Sequence, residues 1–441
     1  MLALLAACTS EPAGSPAPEP EPDVVPWTHA RPPLDEVSPT GRAWKRGVIH
    51  LHSYLSHDAC DNHSAANPDD VCFDRFRAAL CDAGLDYAFV TDHPASAGEH
   101  PYEEILLSEP GDTALADGNL VACADGRAVL TMPGIEDELM PIGLDRHVSD
   151  DPAVNDAIYN GTDATTFAEE AAAGAAVMQA HTEGKSLDEL YARQAMGLVG
   201  VEIFNLHAMV DPTKREEDLG LDAFAYLEAA GPFISGETDA EPDLVFLSFY
   251  EEQGVSLERW DALNRVAFTV GTAGTDAHEN AIPSLMADGE RVDSYRRMIS
   301  WFGNVVLPDG DSPADFQAAV EAGRLFVAFE ALGVPSGFDV RYGELEHGGE
   351  GEVGGTLEVG CPTLAADSPR DGEDPDVDVV VLKDGVEWQR GCGAWSVTEP
   401  GVYRVRVDIV PHHLAGFLDD RAEALVHAYP WLYGNAFRLG L

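Results

Sequence analysis

Five short apolar runs in this chain end in side chains that bind metals. HLH supplies His50 and His52, VTDH ends at His93, PGIE ends at Glu136, QAHT carries His181, and GTDAH carries Asp276 and His278. Side chains two apart on a strand share a face, so His50 and His52 project together, as do Asp276 and His278. One such cluster could be a core histidine or a turn cap. Five at the carboxyl ends of strand-like runs require a fold that gathers those ends at one mouth.

The texture between the runs agrees. VIHLH, YAFVTDH, AVLTMPGIE, AAVMQAHT, LVGVEIFN and AFTVGTAGTDAH are short, apolar and ended by polar residues, as strands are. Helical patterns separate them over Phe73 to Ala83, Thr165 to Ala173 and Ser186 to Met196, and later over SLERWDALNR, RVDSYRRMISWFG and SPADFQAAVEAG, with glycine C-caps expected for the last two. Strands alternating with helices predict parallel strands joined by crossover helices. From about Pro335 the pattern changes to alternation, as in GVYRVRVDIV, with Asp384-Gly385 and Pro400-Gly401 as turns, and a small antiparallel β-sandwich is expected over 335–441. His412 and His413, beside Pro411, are expected at the surface of a loop there.

The ligand chemistry is imidazole plus carboxylate, which suits Zn, Mn or Fe. His57 and Asp58 follow the HLH run closely, and either could reach a metal from the loop. His147 lies eleven residues past Glu136, whose two oxygens could bridge two cations. Such a ligand set exceeds the needs of one ion and implies two or three. Asp92, Glu202, Asn205 and His207 are expected either to support the ligands or to meet substrate.

At these residues the chain resembles the PHP (polymerase and histidinol phosphatase) superfamily: HLHS with Ser56, VTDH, PGIE with its step to His147, QAHT and GTDAH occur in that family's order over roughly residues 45–330. The resemblance implies an α/β fold, a distorted (β/α)7 TIM-like barrel over 45–334, with a trinuclear metal centre of His50, His52, His57, His93, Glu136, His147, His181, Asp276 and His278. The family pattern usually has Asp at position 57, or its ligand one residue later, where Asp58 stands. The activity implied is phosphoester hydrolysis, mono- or diesterase, of a small phosphorylated substrate. A hydroxide held between ions is expected to attack, with Glu136 bridging and His181 or Asp92 moving protons. The competing expectations are an amidohydrolase, whose barrels also begin with HxH but use a bridging carboxylated lysine, and a non-catalytic surface protein stapled by its metals.

Composition bounds the partners. With 78 acids against 26 bases and a net charge of −52, nucleic-acid binding through a basic face is excluded as an expectation. Residues 1–8, MLALLAAC, read as the remnant of a lipoprotein-type signal in which Leu5-Ala6-Ala7-Cys8 resembles a bacterial lipobox whose Cys8 becomes lipidated, although no basic segment precedes the apolar stretch. The Pro/Glu-rich stretch that follows, within 9–44, reads as an extended tether. An exported lipoprotein, anchored to a membrane through Cys8 at the outer membrane or cell surface, is therefore expected. The six remaining cysteines fit three disulfides in an oxidising compartment, and locality pairs Cys60 with Cys72 and Cys361 with Cys392, leaving Cys81 for Cys123.

Overall fold

The computed structural model describes residues 24–62 and 70–441, so Cys8 and the expected signal segment lie outside the described residues. Eleven strands precede the change of texture: β1 (Lys45–Leu51), β2 (Tyr87–Val90), β3 (Thr113–Ala114), β4 (Asn119–Ala122), β5 (Ala128–Pro133), β6 (Met140–Ile142), β7 (Ala176–Gln179), β8 (Gly200–Asn205), β9 (Val270–Ala277), β10 (Gly303–Val306) and β11 (Leu325–Ala328). The fold is mixed α/β, with one large mixed sheet and smaller antiparallel sheets.

The six strands expected from the sequence form one parallel run in the order β5, β2, β1, β9, β8, β7. Their apolar sequences are buried along their lengths apart from Ala128 at the start of β5 and the intermediate Lys45 of β1, as expected for parallel strands covered on both faces. Short β6 pairs antiparallel with β7, and an isolated bridge between Gly134 and Ile142 joins it to the residue after β5.

Helix boundaries follow their caps. Helix Leu187–Met196 starts at the expected Ser186, whose hydroxyl and Glu189 form a capping box. Helix Ala164–Ala172 begins earlier than Thr165 because the Asp163 carboxylate accepts from the amides of Thr165 and Thr166. The expected glycine cap of helix Tyr295–Trp301 is absent: Phe302 is the cap, and Gly303 opens β10. Helix Pro313–Glu321 ends on Ala322, with left-handed Gly323 (φ 67°) one residue beyond it.

Past Pro335 the strands pair antiparallel as expected, except that Gly349–Gly351 runs parallel to Phe437–Leu439, and they do not stand apart as a sandwich. Strand Tyr429–Gly434 pairs with β11, which continues through β10 to β1. Strands Gly401–Val410 and Asp376–Lys383 extend the same sheet outward, while a second, four-stranded sheet contains Val340–Tyr342 and Thr356–Val359. The largest apolar cluster accordingly runs from Trp44, Phe204 and Trp260 to Tyr403 and Trp431. Asn435 ties the tail to β9 directly: its side chain accepts from the Gly271 amide at 2.8 Å and donates to the Gly271 carbonyl at 2.9 Å. His413 departs from its expected surface position and is fully buried, whereas His412 is partly exposed beside Asp376.

The three expected cysteine pairs, Cys60–Cys72, Cys81–Cys123 and Cys361–Cys392, are those present. Among the described residues no helix is long and apolar enough to cross a membrane.

Candidate metal centre

The ends of β1, β2, β5, β7 and β9 deliver their ligand side chains to one place, and the backbone there is irregular. His50 (φ 77°), His181 (φ 49°) and Asp276 (φ 49°) occupy the left-handed region, which side-chain-bearing residues avoid at a cost of roughly 1–3 kcal/mol. The pairing of β1 with β9 shifts register between Ile49 and Leu51, so the strand turns as it presents His50 and His52. Gly274 is needed beside them, because a Cβ there would collide with the Glu202 carboxylate.

Three overlapping groups of potential ligand atoms result: His52, His93 and His278; His50, His52 and Glu136; and His50, His181 and Asp276. Asp276 Oδ1 lies 3.2 Å from His50 Nε2 and 3.3 Å from His52 Nε2, and its Oδ2 lies 3.4 Å from His181 Nε2. Glu136 Oε2 is 4.0 Å from His52 Nε2, and Oε1 is 3.7 Å from His181 Nε2, so its two oxygens face different imidazoles.

The outer nitrogen of every one of these rings has an acceptor. His50 Nδ1 is 2.7 Å from Glu202, His52 Nδ1 is 2.8 Å from Ser56 Oγ, and His181 Nδ1 is 3.1 Å from Glu183. His93 and His278 direct Nδ1 to the backbone carbonyls of Glu136 and Asp276, each at 2.9 Å. A neutral imidazole that donates from Nδ1 turns its Nε2 lone pair to the cluster, so a cation that displaces the protons could be met by five inward Nε2 atoms. His50 Nε2 and His52 Nε2 stand 3.1 Å apart, a separation that needs a proton or cation between them.

The electrostatics lead to the same demand for positive charge. Burial lowers the pKa of His50, His93 and His181, yet the carboxylates outweigh it: Asp276 and Glu202 raise His50 well above the usual range, Asp58 and Glu136 raise His93 to about 11, and Glu183 with Asp276 raises His181 to about 9. His52 moves the other way, through burial and the repulsion of His278 and other rings. Asp276, despite burial, is held well below the carboxylate range by His50 and its neighbours.

Of the two loop candidates, Asp58 is the one whose side-chain oxygens lie beside ring nitrogens of the cluster. Its Oδ2 lies 3.5 Å from His93 Nε2 and its Oδ1 lies 3.4 Å from His278 Nε2. That Oδ1 and that Nε2 are both buried without a hydrogen-bond partner. His57 is exposed, its ring packed at 5.2 Å against His93. The imidazole and carboxylate donors therefore fit divalent cations, with the facing orphaned atoms as the structural mark of the fit.

The other expected residues divide. His147 is not brought to the cluster: its Nε2 donates to the His100 carbonyl at 3.0 Å and its Nδ1 lies 3.1 Å from the Tyr159 hydroxyl, which occupies both nitrogens. Asp92, expected to move protons, is committed to Ser53 N, Ser53 Oγ and Ser56 Oγ, and so acts on His52 through Ser56. Glu202 and Asn205 are both buried. Glu202 also accepts from the His181 amide, and Asn205 donates to Glu202 at 3.0 Å. His207 lies at the edge, 43% exposed, with Nδ1 3.2 Å from Asp276 Oδ2.

Glu183 was missed, although AHTEG places it two residues after His181. Its carboxylate is buried, Oε2 lacks a partner, and Arg259 holds the carbonyl before it, that of Thr182. Glu183→Ala is expected to weaken metal binding by roughly 10- to 100-fold, as loss of a ligand's supporting partner does. Glu183→Gln, which keeps an oxygen toward Nδ1, should lose less. Titration of the metal-free protein with Mn2+ reads both, and unchanged affinity in the alanine variant rules the role out.

No family model matches the chain, and no curated protein matches it. Among solved structures it is similar to a two-domain protein containing a predicted PHP-like metal-dependent phosphoesterase from Bacteroides vulgatus ATCC 8482, at 11% identity, covering 94% of this chain and 99% of that one with a TM-score of 0.36. It is also similar to PsfC from Pseudomonas syringae PB-5123, at 14% identity over 63% of this chain and 89% of that one, with a TM-score of 0.34. Likenesses of this size carry no argument about chemistry, which rests on the geometry above.

Proposed function

We propose that this chain is a metal-dependent phosphoester hydrolase whose centre is formed by His50, His52, Asp58, His93, Glu136, His181, Asp276 and His278. The observation that carries the reading is the inward set of five Nε2 atoms, each fixed by an acceptor on its outer nitrogen, converging with three carboxylates. Two or three ions of Zn, Mn or Fe suit these donors, and when bound they supply Lewis-acid polarisation of a phosphoryl oxygen and a nucleophile at neutral pH. We read the strand circuit closed by the Gly134–Ile142 bridge as the distorted seven-stranded barrel that the PHP resemblance implies.

The chain's own residues then have distinct tasks. Glu136 turns one oxygen toward His181 and the other toward His93 and His52, so its carboxylate would help hold the ions among these rings. Ser56 and Asp92 fix the His52 ring, while Glu202 fixes His50 and the His181 backbone. His207, half-exposed and anchored on Asp276, is placed to hold a proton for a departing oxygen. The amidohydrolase alternative lacks its lysine: Lys45, Lys185, Lys214 and Lys383 pair with Asp86, Glu138, Asp218 and Glu399 respectively. Export with a lipid anchor at Cys8 is part of the proposal, supported by the three disulfides. So is the assignment of 45–334 to the hydrolase unit and 335–441 to an appended β-rich unit.

Purified protein starting at residue 24 should hold two or three equivalents of Zn, Mn or Fe by elemental analysis and hydrolyse a chromogenic phosphomonoester or diester. Metal without turnover would point to a binding protein, and turnover of amides or lactones alone would point to an amidohydrolase.

A further inference from the structure

Asp58 stands in a turn just before the short helical segment Ala59–Asn62, whose Cys60 and Asp61 depart from helical backbone. The backbone there is laid against the segment that follows β9. The Cys60 amide donates to the His278 carbonyl at 2.8 Å, the Asp61 amide to the Glu279 carbonyl at 3.1 Å, and Asn280 Nδ2 to the Asp58 carbonyl at 2.8 Å. To make these bonds Cys60 and Asp61 both adopt left-handed backbone (φ 53° and 57°), an uncommon state for two consecutive residues with side chains. Something must hold them there.

The Cys60–Cys72 cross-link is in position to do so. Cys60 is 2% exposed and Cys72 is fully buried on helix Asp70–Asp82, which packs against helix Tyr295–Trp301. From that second helix the Tyr295 hydroxyl donates to the His278 carbonyl at 3.1 Å and lies 3.8 Å from Cys60 Sγ. The sulfur, the tyrosine and the carbonyl of a ligand residue thus form one contact.

Resting on the metal-centre reading above, we propose that the Cys60–Cys72 disulfide is a positioning element of that centre: it holds the left-handed turn beside His278–Glu279 and thereby keeps the Asp58 carboxylate facing His93 and His278. The Cys361–Cys392 cross-link serves as the control, since it lies past Pro335, away from every proposed ligand in the sequence.

Metal content and Mn2+ affinity of the full chain test this. Cys60→Ser with Cys72→Ser is expected to lose about one metal equivalent, or to bind its weakest ion at least roughly 10-fold less tightly. Asp58→Asn should reproduce that loss, and combining all three changes should add little to it. Cys361→Ser with Cys392→Ser should keep the metal whatever it costs in melting temperature. Should the serine pair not fold, Cys60→Ala with Cys72→Val, which returns apolar volume to the buried pair, is read by the same criteria. Full metal at unchanged affinity without the Cys60–Cys72 bond overturns the proposal, as does an equal loss in the control pair. A wild-type chain that holds no metal overturns the metal-centre reading instead.

Discussion

His50→Ala and Asp276→Asn are each expected to abolish phosphoester turnover and to strip metal from a chain that remains folded. Asp276 lies within 3.4 Å of a nitrogen of His50, His52, His181, His207 and His278, so its charge is the hub of the cluster. Asparagine keeps its volume and removes that charge. His50→Ala deletes one of the two Nε2 atoms that stand 3.1 Å apart and leaves Glu202 still bonded to His181 N and Asn205. Both losses fall on ligands rather than on their supports, so the fall in kcat/KM should exceed the roughly 10- to 100-fold that a supporting contact costs. Elemental analysis, steady-state rates and near-UV circular dichroism read the three quantities separately. Full activity in either variant would remove that residue from the centre, and loss of the native dichroism would make its role structural.

The parts of this site that were legible in the sequence are those set by strand periodicity. His50, His52, His93, Glu136, His181, Asp276 and His278 each end an apolar run, and a parallel arrangement of those runs leaves their ends no choice but to meet. Loop residues were not legible in this way. Asp58 is brought beside His93 and His278 next to hydrogen bonds from Cys60 and Asp61 to the segment after β9, contacts between distant parts of the sequence that no local pattern encodes. His147 sits in a comparable loop, and its placement is decided by Tyr159 and the His100 carbonyl. Asp92 and Glu202 had the right residue type at a strand end, and their oxygens are bonded to Ser53 and Ser56 and to His50, the His181 amide and Asn205, partners that the sequence pattern does not name.

The fold divides along the same line. Short β6, the Gly134–Ile142 bridge and the pairing of β10 and β11 lack the length or alternation that marks a strand, and they were not anticipated. The C-terminal region is mostly antiparallel as read, with a parallel pair of Gly349–Gly351 and Phe437–Leu439 that alternation does not signal, and its attachment to β11 depends on edge pairing that composition does not reveal. Asn435 shows why that attachment matters to the site. It reaches from the chain's end to Gly271 on β9, five residues from Asp276.

That seam is expected to make the protein acid-sensitive. His347 is buried between Phe326 of β11, at 4.7 Å, and Phe338, at 5.3 Å, and neither of its nitrogens has a hydrogen-bond partner. Burial lowers its pKa from 6.5 to about 3, and burial likewise lowers that of His413 to about 4. Because the folded values lie below the unfolded one, the unfolded chain takes up protons first as the pH falls. The stabilisation is complete above about pH 6.5 and is lost progressively toward pH 3 and 4. At roughly 1.4 kcal/mol per pH unit, His347 alone contributes on the order of 5 kcal/mol across that interval. Unfolding by urea at pH 7, 5.5 and 4.5 measures it. The many carboxylates also titrate there, so the decisive quantity is the difference between wild type and His347→Leu, which keeps the ring's approximate volume without a titrating group. The variant should lose less stability than wild type on acidification, and parallel curves for the two would exclude His347 as the cause. Phe326 lies on β11, and β11 reaches β1 through β10, so the expected loss falls on a seam continuous with the strand that carries His50 and His52.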